Sequence, residues 1–133
     1  MRIFLGTLAG IVVAFATIWI VDLGGHSLYP VPSDLNLRDY EAIGSFIQSM
    51  PPLVLFIVAL AWFLGAAVGG YVAAAVSQRD WTIWVIAGLV VVGGILNIMM
   101  IPHPLVLQIG AFVAPLIGGV VAHALYRRSR ATA

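Results

Sequence analysis

The sequence predicts an all-α membrane protein with four transmembrane helices, a short outer amphipathic helix and both termini in the cytoplasm. Of its 133 residues, 62% are hydrophobic and 8% are charged, whereas a soluble domain is about a quarter charged. The charged residues are absent from four long stretches, residues 3–21, 53–76, 81–101 and 105–126. Since about 20 apolar residues cross a bilayer, these stretches predict spans one to four of a single domain that covers residues 1–133.

Span one, residues 3–21, has some features of a secretory signal peptide. Arg2 supplies a basic start, and Ala14 and Ala16 are small residues near its far end. The apolar run is nevertheless longer than that of a usual signal peptide, and no clear cleavage site follows it. We therefore expect span one to be retained as a membrane anchor.

The loop between spans one and two, residues 22–52, is expected to be structured. It opens with Gly and Pro residues over 24–32, which predict a turn region. Apolar residues then recur at three- and four-residue spacing, as in an amphipathic helix: Tyr40, Ile43, Ile47 and Met50. We predict a short helix over residues 37–50, capped by Asn36, that lies on the outer membrane surface or caps the bundle.

Small residues recur along three of the spans. They are Gly6 and Gly10 in span one, Ala61, Gly65, Gly69 and Ala73 in span two, and Gly110, Ala114, Gly118 and Ala122 in span four. Such stripes let helix backbones approach closely in lipid. They predict close packing within the chain, and they leave a homo-oligomer or a larger membrane complex open as an alternative use.

The distribution of arginine predicts the orientation of the chain. Five of the six Arg residues flank the spans on one side: Arg2, Arg79, Arg127, Arg128 and Arg130. Arg38 alone lies on the other side, in the loop of residues 22–52. Because loops rich in Arg stay in the cytoplasm, both termini are expected there. In a bacterial inner membrane, which we expect, the long loop then faces the periplasm.

Polar residues from several segments reach the outer end of the bundle at similar depth. They are Thr17, Asn97 and Gln108 within the spans, and Asp22, His26 and His103 just above them. Polar groups that converge between bundle helices are typical of a ligand site, so we predict one here. In the alternative interpretation, each group is satisfied locally: Thr17 by its own backbone, Gln108 and His103 by water, and Asn97 by a neighbouring helix.

The sequence gives little support to catalysis. No Asp, Glu, Lys or Arg lies within a span, which argues against ion-coupled transport. The chain has no Cys and no motif of an activated nucleophile, so we predict no catalytic residue and no cofactor. Asp22, His26 and His103 include residue types that bind zinc, but their spacing matches no metal motif, and we predict no metal site.

A basic group marks the inner end of span four. His123 lies one helical turn before Arg127, and Arg128 and Arg130 follow. Basic residues at this position attract anionic lipid by about 1 kcal/mol per charge. We therefore predict that these four residues contact lipid headgroups, so that membrane lipid is a partner of the protein.

Two short motifs carry a resemblance to known proteins. They are Gly25-His26-x-x-Tyr29-Pro30-x-Pro32 after span one and Met100-Ile101-Pro102-His103-Pro104 between spans three and four. Both resemble small four-helix bacterial integral membrane proteins that have no assigned activity. The resemblance implies the four-helix fold and assigns no function to any residue.

We expect a non-enzymatic membrane protein that is an accessory protein or binds a small ligand or lipid. A small oligomeric transporter or channel is the alternative, with Thr17, Asn97 and Gln108 lining its outer mouth. A metal-dependent membrane enzyme is a third interpretation. The chain has six Arg and no Lys, so we expect no nucleic-acid partner.

Overall fold

A computed structural model describes residues 1–132 of the chain. Its helices are α1 (Arg2–Leu28), α2 (Tyr40–Gln48), α3 (Pro52–Ser77), α4 (Thr82–Met100) and α5 (Leu105–Ala131). All except α2 are long and apolar enough to span a membrane. The prediction of an all-α polytopic fold with a short additional helix is therefore confirmed for the described residues.

The outer segment differs from its prediction in two places. Helix α1 continues to Leu28, so residues 24–28 are helical and the predicted loop begins too early. Helix α2 begins at Tyr40, and its N-cap is Asp39, whose carboxylate accepts hydrogen bonds from two backbone N–H groups of the first turn. Asn36 instead accepts a 3.1 Å hydrogen bond from the backbone N–H of Arg38 and closes a turn before the helix.

Helices α1 and α3 pack through their small residues. A Cβ atom added to Gly10 would lie 2.7 Å from the carbonyl oxygen of Gly69, and one added to Gly6 would lie 2.6 Å from the backbone nitrogen of Ser77. Hydrogen in place of a side chain is therefore required along this contact. The stripes of spans one and two, one of the predicted routes to an oligomer, pack against each other within the chain.

Helix α3 is the centre of the bundle, because α5 and α4 pack on its other faces. Gly118 of α5 lies against the backbone of Phe63, and Gly70 of α3 lies against Ile83 of α4. Helices α4 and α5 meet where Gly94 faces Ala111. Helix α1 contacts α4 much less extensively, and a groove separates these two helices.

The start of α1 and the end of α5 lie at the same end of the bundle. Gly6, near the start of α1, contacts Ser77 at the end of α3. Arg79 of the α3–α4 turn lines a cleft together with Arg127 and Arg130 of α5. The five arginines that the sequence assigns to one side therefore do lie at one end.

A buried pair of hydroxyl groups closes the turn between α3 and α4. Thr82 is fully buried and donates a 2.7 Å hydrogen bond to the carbonyl oxygen of Arg79. The hydroxyl of Ser77 lies 3.1 Å from that of Thr82 and accepts from the backbone N–H of Arg79. Two buried hydroxyls thus satisfy the backbone groups of Arg79 in this turn.

We expect Thr82→Val to lower the free energy of unfolding by about 1–3 kcal/mol, because the isosteric side chain leaves buried polar groups unpaired. Unfolding in mixed micelles with increasing SDS measures the change. Thr132→Val, at an exposed hydroxyl near the C-terminus, is the matched control and should be neutral. Equal stability of both variants would show that the buried pair contributes nothing.

Candidate functional site

A cavity of about 260 Å³ lies beneath α2 at the outer end of the bundle. Trp62 of α3 and Leu107 of α5 line its deep side, and Ile43 and Ile47 of α2 line its outer side. Trp62 is only 7% exposed and Leu107 only 1%. The deep side of the cavity is thus buried and its lining is mostly apolar, while its other side is open.

Helix α2 covers the cavity because its apolar residues fall on one face. Ile43 and Ile47 are one helical turn apart and point the same way. Gly44 is buried, and a Cβ atom added there would lie 2.8 Å from Pro102 in the α4–α5 turn. Phe46 stacks on Tyr29 with 5.4 Å between ring centroids. Of the two predicted positions of this helix, the structure therefore has the one that caps the bundle.

Two histidines from different segments line the cavity. His26 lies one turn after Asp22 on α1, and its Nδ1 is 2.8 Å from the backbone oxygen of Asp22. The Nδ1 of His103, in the α4–α5 turn, is 2.6 Å from the backbone oxygen of Ile101. Because a carbonyl oxygen only accepts hydrogen bonds, both rings must carry a proton on Nδ1. The Nε2 atom of each ring then remains available to a ligand, as an acceptor when the ring is neutral.

Asp22 adds an unsatisfied acceptor to the same lining. Its Oδ1 atom is buried and has no hydrogen-bond partner among the described residues. A buried carboxylate oxygen without a donor costs free energy. A void of about 30 Å³ next to Asp22 is large enough for one water molecule. Asp22 also lines the larger cavity beneath α2.

Asn97 lies at the inner edge of the cavity. It is exposed, and it lines both the cavity beneath α2 and the groove between α1 and α4. It lies three residues before the end of α4, about 5 Å along the axis. An exposed amide at this depth favours a polar partner over lipid.

Four of the six residues predicted for the outer site line one cavity, and they are Asp22, His26, Asn97 and His103. Thr17 does not line the cavity, and its hydroxyl donates a 2.7 Å hydrogen bond to the carbonyl oxygen of Val13 on its own helix. The amide nitrogen of Gln108 donates to the carbonyl oxygen of His103 at 2.8 Å. Gln108 therefore holds the turn that carries His103 and does not line the cavity.

Trp62 is not among the residues that the sequence predicts for the site. It lies in the middle of α3, away from the interfacial positions where Trp is usual. This unusual position is the feature of the sequence that could have indicated a role in the site. Its ring contributes to the walls of both the cavity and the groove. The apolar lining of the site therefore includes a large aromatic side chain from the middle of a span.

The described residues include no group of three or more His, Cys, Asp or Glu side chains close enough to hold a metal ion. What the cavity offers is a set of hydrogen-bonding atoms on an apolar wall. The carboxylate of Asp22 and the imidazoles of His26 and His103 can accept hydrogen bonds, and the amide of Asn97 can accept and donate. Such a set suits recognition of a polar group on an apolar molecule.

The basic residues at the inner end do not form one group. The ring of His123 lies 6.2 Å from that of Trp84, centroid to centroid, whereas Arg127 and Arg130 line a separate cleft of about 330 Å³ with Arg79. The guanidinium of Arg130 lies 5.9 Å above the ring of Tyr126. Arg128 is exposed and does not line that cleft. Two of the four predicted headgroup contacts therefore share one site.

Comparison with protein-family models, with curated proteins and with solved structures finds no match to this chain. The chemistry of the cavity therefore has to be interpreted from its own lining. That lining combines few polar atoms with a large apolar area, and the polar atoms come from α1, α4 and the α4–α5 turn.

Proposed function

We propose that this protein is a non-enzymatic membrane protein that binds a small ligand in the cavity beneath α2. The observation that carries the proposal is the convergence of Asp22, His26, Asn97 and His103 on one half-open, mostly apolar cavity. These residues are far apart in the sequence and meet only through the fold. Ligand sites are usually preformed, concave and apolar, with a few convergent polar groups.

We further propose that the chain is a multi-pass protein of a bacterial inner membrane, with both termini in the cytoplasm and the cavity on the periplasmic side. The clustering of five arginines at the end that carries the termini supports this orientation. Membrane lipid is then the partner of the exposed apolar faces of α1, α4 and α5.

Neither alternative function has an observation of its own in its favour. An oligomeric transporter or channel would use the small-residue stripes between subunits, but α1 and α3 pack theirs against each other. A metal-dependent enzyme would need ligands that the described residues do not group. Ligand binding is the function that the apolar lining and the convergent polar side chains of the cavity support.

Binding can be measured with benzylamine, a short probe that has one apolar ring and one donor group. In lipid nanodiscs we expect it to change the fluorescence of the protein, because Trp62 lines the cavity. Trp62→Phe should remove that part of the signal. A flat titration of the wild-type protein, equal to that of empty nanodiscs, would refute binding of this probe at the proposed site.

We expect Asn97→Leu to weaken benzylamine binding about tenfold, as the loss of one hydrogen bond in an apolar site does. The exposure of Asn97 means that folding should not change. Gln48→Leu replaces an exposed amide outside the cavity lining and is the matched control. Unchanged affinity in Asn97→Leu, together with higher stability, would make Asn97 a structural residue only.

A further inference from the structure

A second space of about 260 Å³ lies between α1 and α4. Phe15 and Ile18 form its α1 side, and Leu89, Val90 and Gly93 form much of its α4 side. The residues from Leu89 to Asn97 follow the axis of α4 for about 12 Å. Since α1 and α4 are spans, this groove opens at the depth of the lipid chains, not toward water.

The groove and the cavity beneath α2 adjoin each other. Trp62 and Asn97 line both of them, so the two spaces meet at these two side chains. Together they reach the size of small-molecule sites, about 300–1,000 Å³. One elongated molecule can therefore occupy both, with its apolar part in the groove and its polar part at Asp22, His26 and His103.

The groove owes its depth to glycine. A Cβ atom added to Gly93 would meet no atom within 4 Å, and Gly93 is exposed. The neighbouring Gly94 does not have open space around it, because it packs against Ala111 of α5. Gly93 is thus a residue at which a side chain would enter the groove and touch nothing else.

The charge of the cavity selects among amphiphiles. Asp22 is the only residue of its lining with a formal charge when the histidines are neutral, and no Arg lines it. The buried Oδ1 atom of Asp22 lacks a donor, and His103 is only 8% exposed. A phosphate or carboxylate headgroup would face like charge, whereas an amine or hydroxyl group would donate a hydrogen bond to the carboxylate of Asp22.

We infer that the ligand is a single-chain amphiphile with an amine or hydroxyl headgroup, which enters from the lipid between α1 and α4. Its chain lies in the groove, and its headgroup donates hydrogen bonds to Asp22 and to the imidazoles of His26 and His103. This inference rests on the proposed binding function and names the class of molecule that the site accepts.

The test uses dodecylamine as the long probe, with benzylamine as the short one, on the protein in nanodiscs. Gly93→Leu should weaken dodecylamine binding by about tenfold or more, because keeping even two methylene groups out of the groove has that effect. Benzylamine binding should not change. Gly88→Leu is the matched control, since Gly88 is also exposed on α4 with open space around it but does not line the groove.

The headgroup is tested with dodecyl phosphate and with Asp22→Asn. We expect wild-type protein to bind dodecylamine and to bind dodecyl phosphate at least about tenfold more weakly, as for a lost charge-assisted hydrogen bond. Asp22→Asn should reduce that difference, whereas Asp34→Asn, at an exposed acid outside the cavity, should not.

The outcomes separate the two proposals. If neither amine binds, the proposed binding function fails. If both amines bind and Gly93→Leu weakens neither, the ligand does not use the groove and the inference of lateral entry is overturned. If dodecyl phosphate binds as tightly as dodecylamine, the assignment of the headgroup is overturned while binding itself stands.

Discussion

Replacing Gly69 by Leu is expected to prevent the four-helix bundle from forming. A Cβ atom at this position would lie 2.6 Å from the carbonyl oxygen of Gly10 and 2.6 Å from the Cβ atom of Ala14. Neither neighbour is the end of a flexible side chain, so α1 would have to move away from α3. Overpacking usually costs about 1–3 kcal/mol, and here a longer side chain meets backbone.

The measurement is the yield of monodisperse protein in mild detergent and its resistance to SDS. Wild-type protein should give a single sharp peak by size exclusion, and Gly69→Leu should give aggregate or no protein. Gly88→Leu adds the same side chain to a span at an open position and should behave like the wild type. Normal yield and stability of Gly69→Leu would contradict the close packing of α1 on α3.

Replacing Gly44 by Leu is expected to lift α2 from the bundle without unfolding the spans. The new side chain would meet the ring of Pro102, which lies 2.8 Å from the position of the Cβ atom. Because α2 covers the cavity, its displacement should expose the site to water. We expect benzylamine affinity to fall by about tenfold or more as apolar contacts with the lid are lost.

Limited proteolysis checks the position of α2 independently of binding. Gly44→Leu should be cut between α1 and α3 at protease concentrations that leave the wild type intact, because local opening controls such cleavage. Ser45→Leu adds the same side chain at an exposed position on α2 and should remain resistant. If Gly44→Leu is as resistant as the wild type and binds equally well, α2 is not the lid.

The sequence predicts the spans well because charge is excluded from lipid wherever a helix crosses it. It predicts the end of α1 poorly. Gly24 and Gly25 are typical of turns, yet both are helical, and Gly25 is buried 3.3 Å from Ile57 as measured from an added Cβ atom. Contact with α3 overrides the local preference of glycine. The prediction of Asn36 as the N-cap of α2 is wrong for a related reason. Both Asn36 and Asp39 are good N-cap residues, and only the fold decides that Asp39 caps the helix.

The sequence predicts how far along its helix each candidate residue lies, but not the direction in which its side chain points. Position along a helix follows directly from the residue number, whereas the direction of a side chain depends on how the helix is rotated in the bundle. Thr17 precedes Asp22 by five residues, which turns it by about 140° on an α-helix, and it lies outside the cavity. Gln108 is similarly turned by about 100° from Leu107, which does line the cavity.

The central place of α3 also has a consequence for biogenesis. Helix α1 has its closest packing with α3, the next span to leave the ribosome, so the first pair can assemble while the remainder is being synthesised. Helices α4 and α5 then join a preformed pair. Since Asn97 and His103 arrive with this second half, we expect the proposed ligand site to be completed only at the last step of membrane insertion.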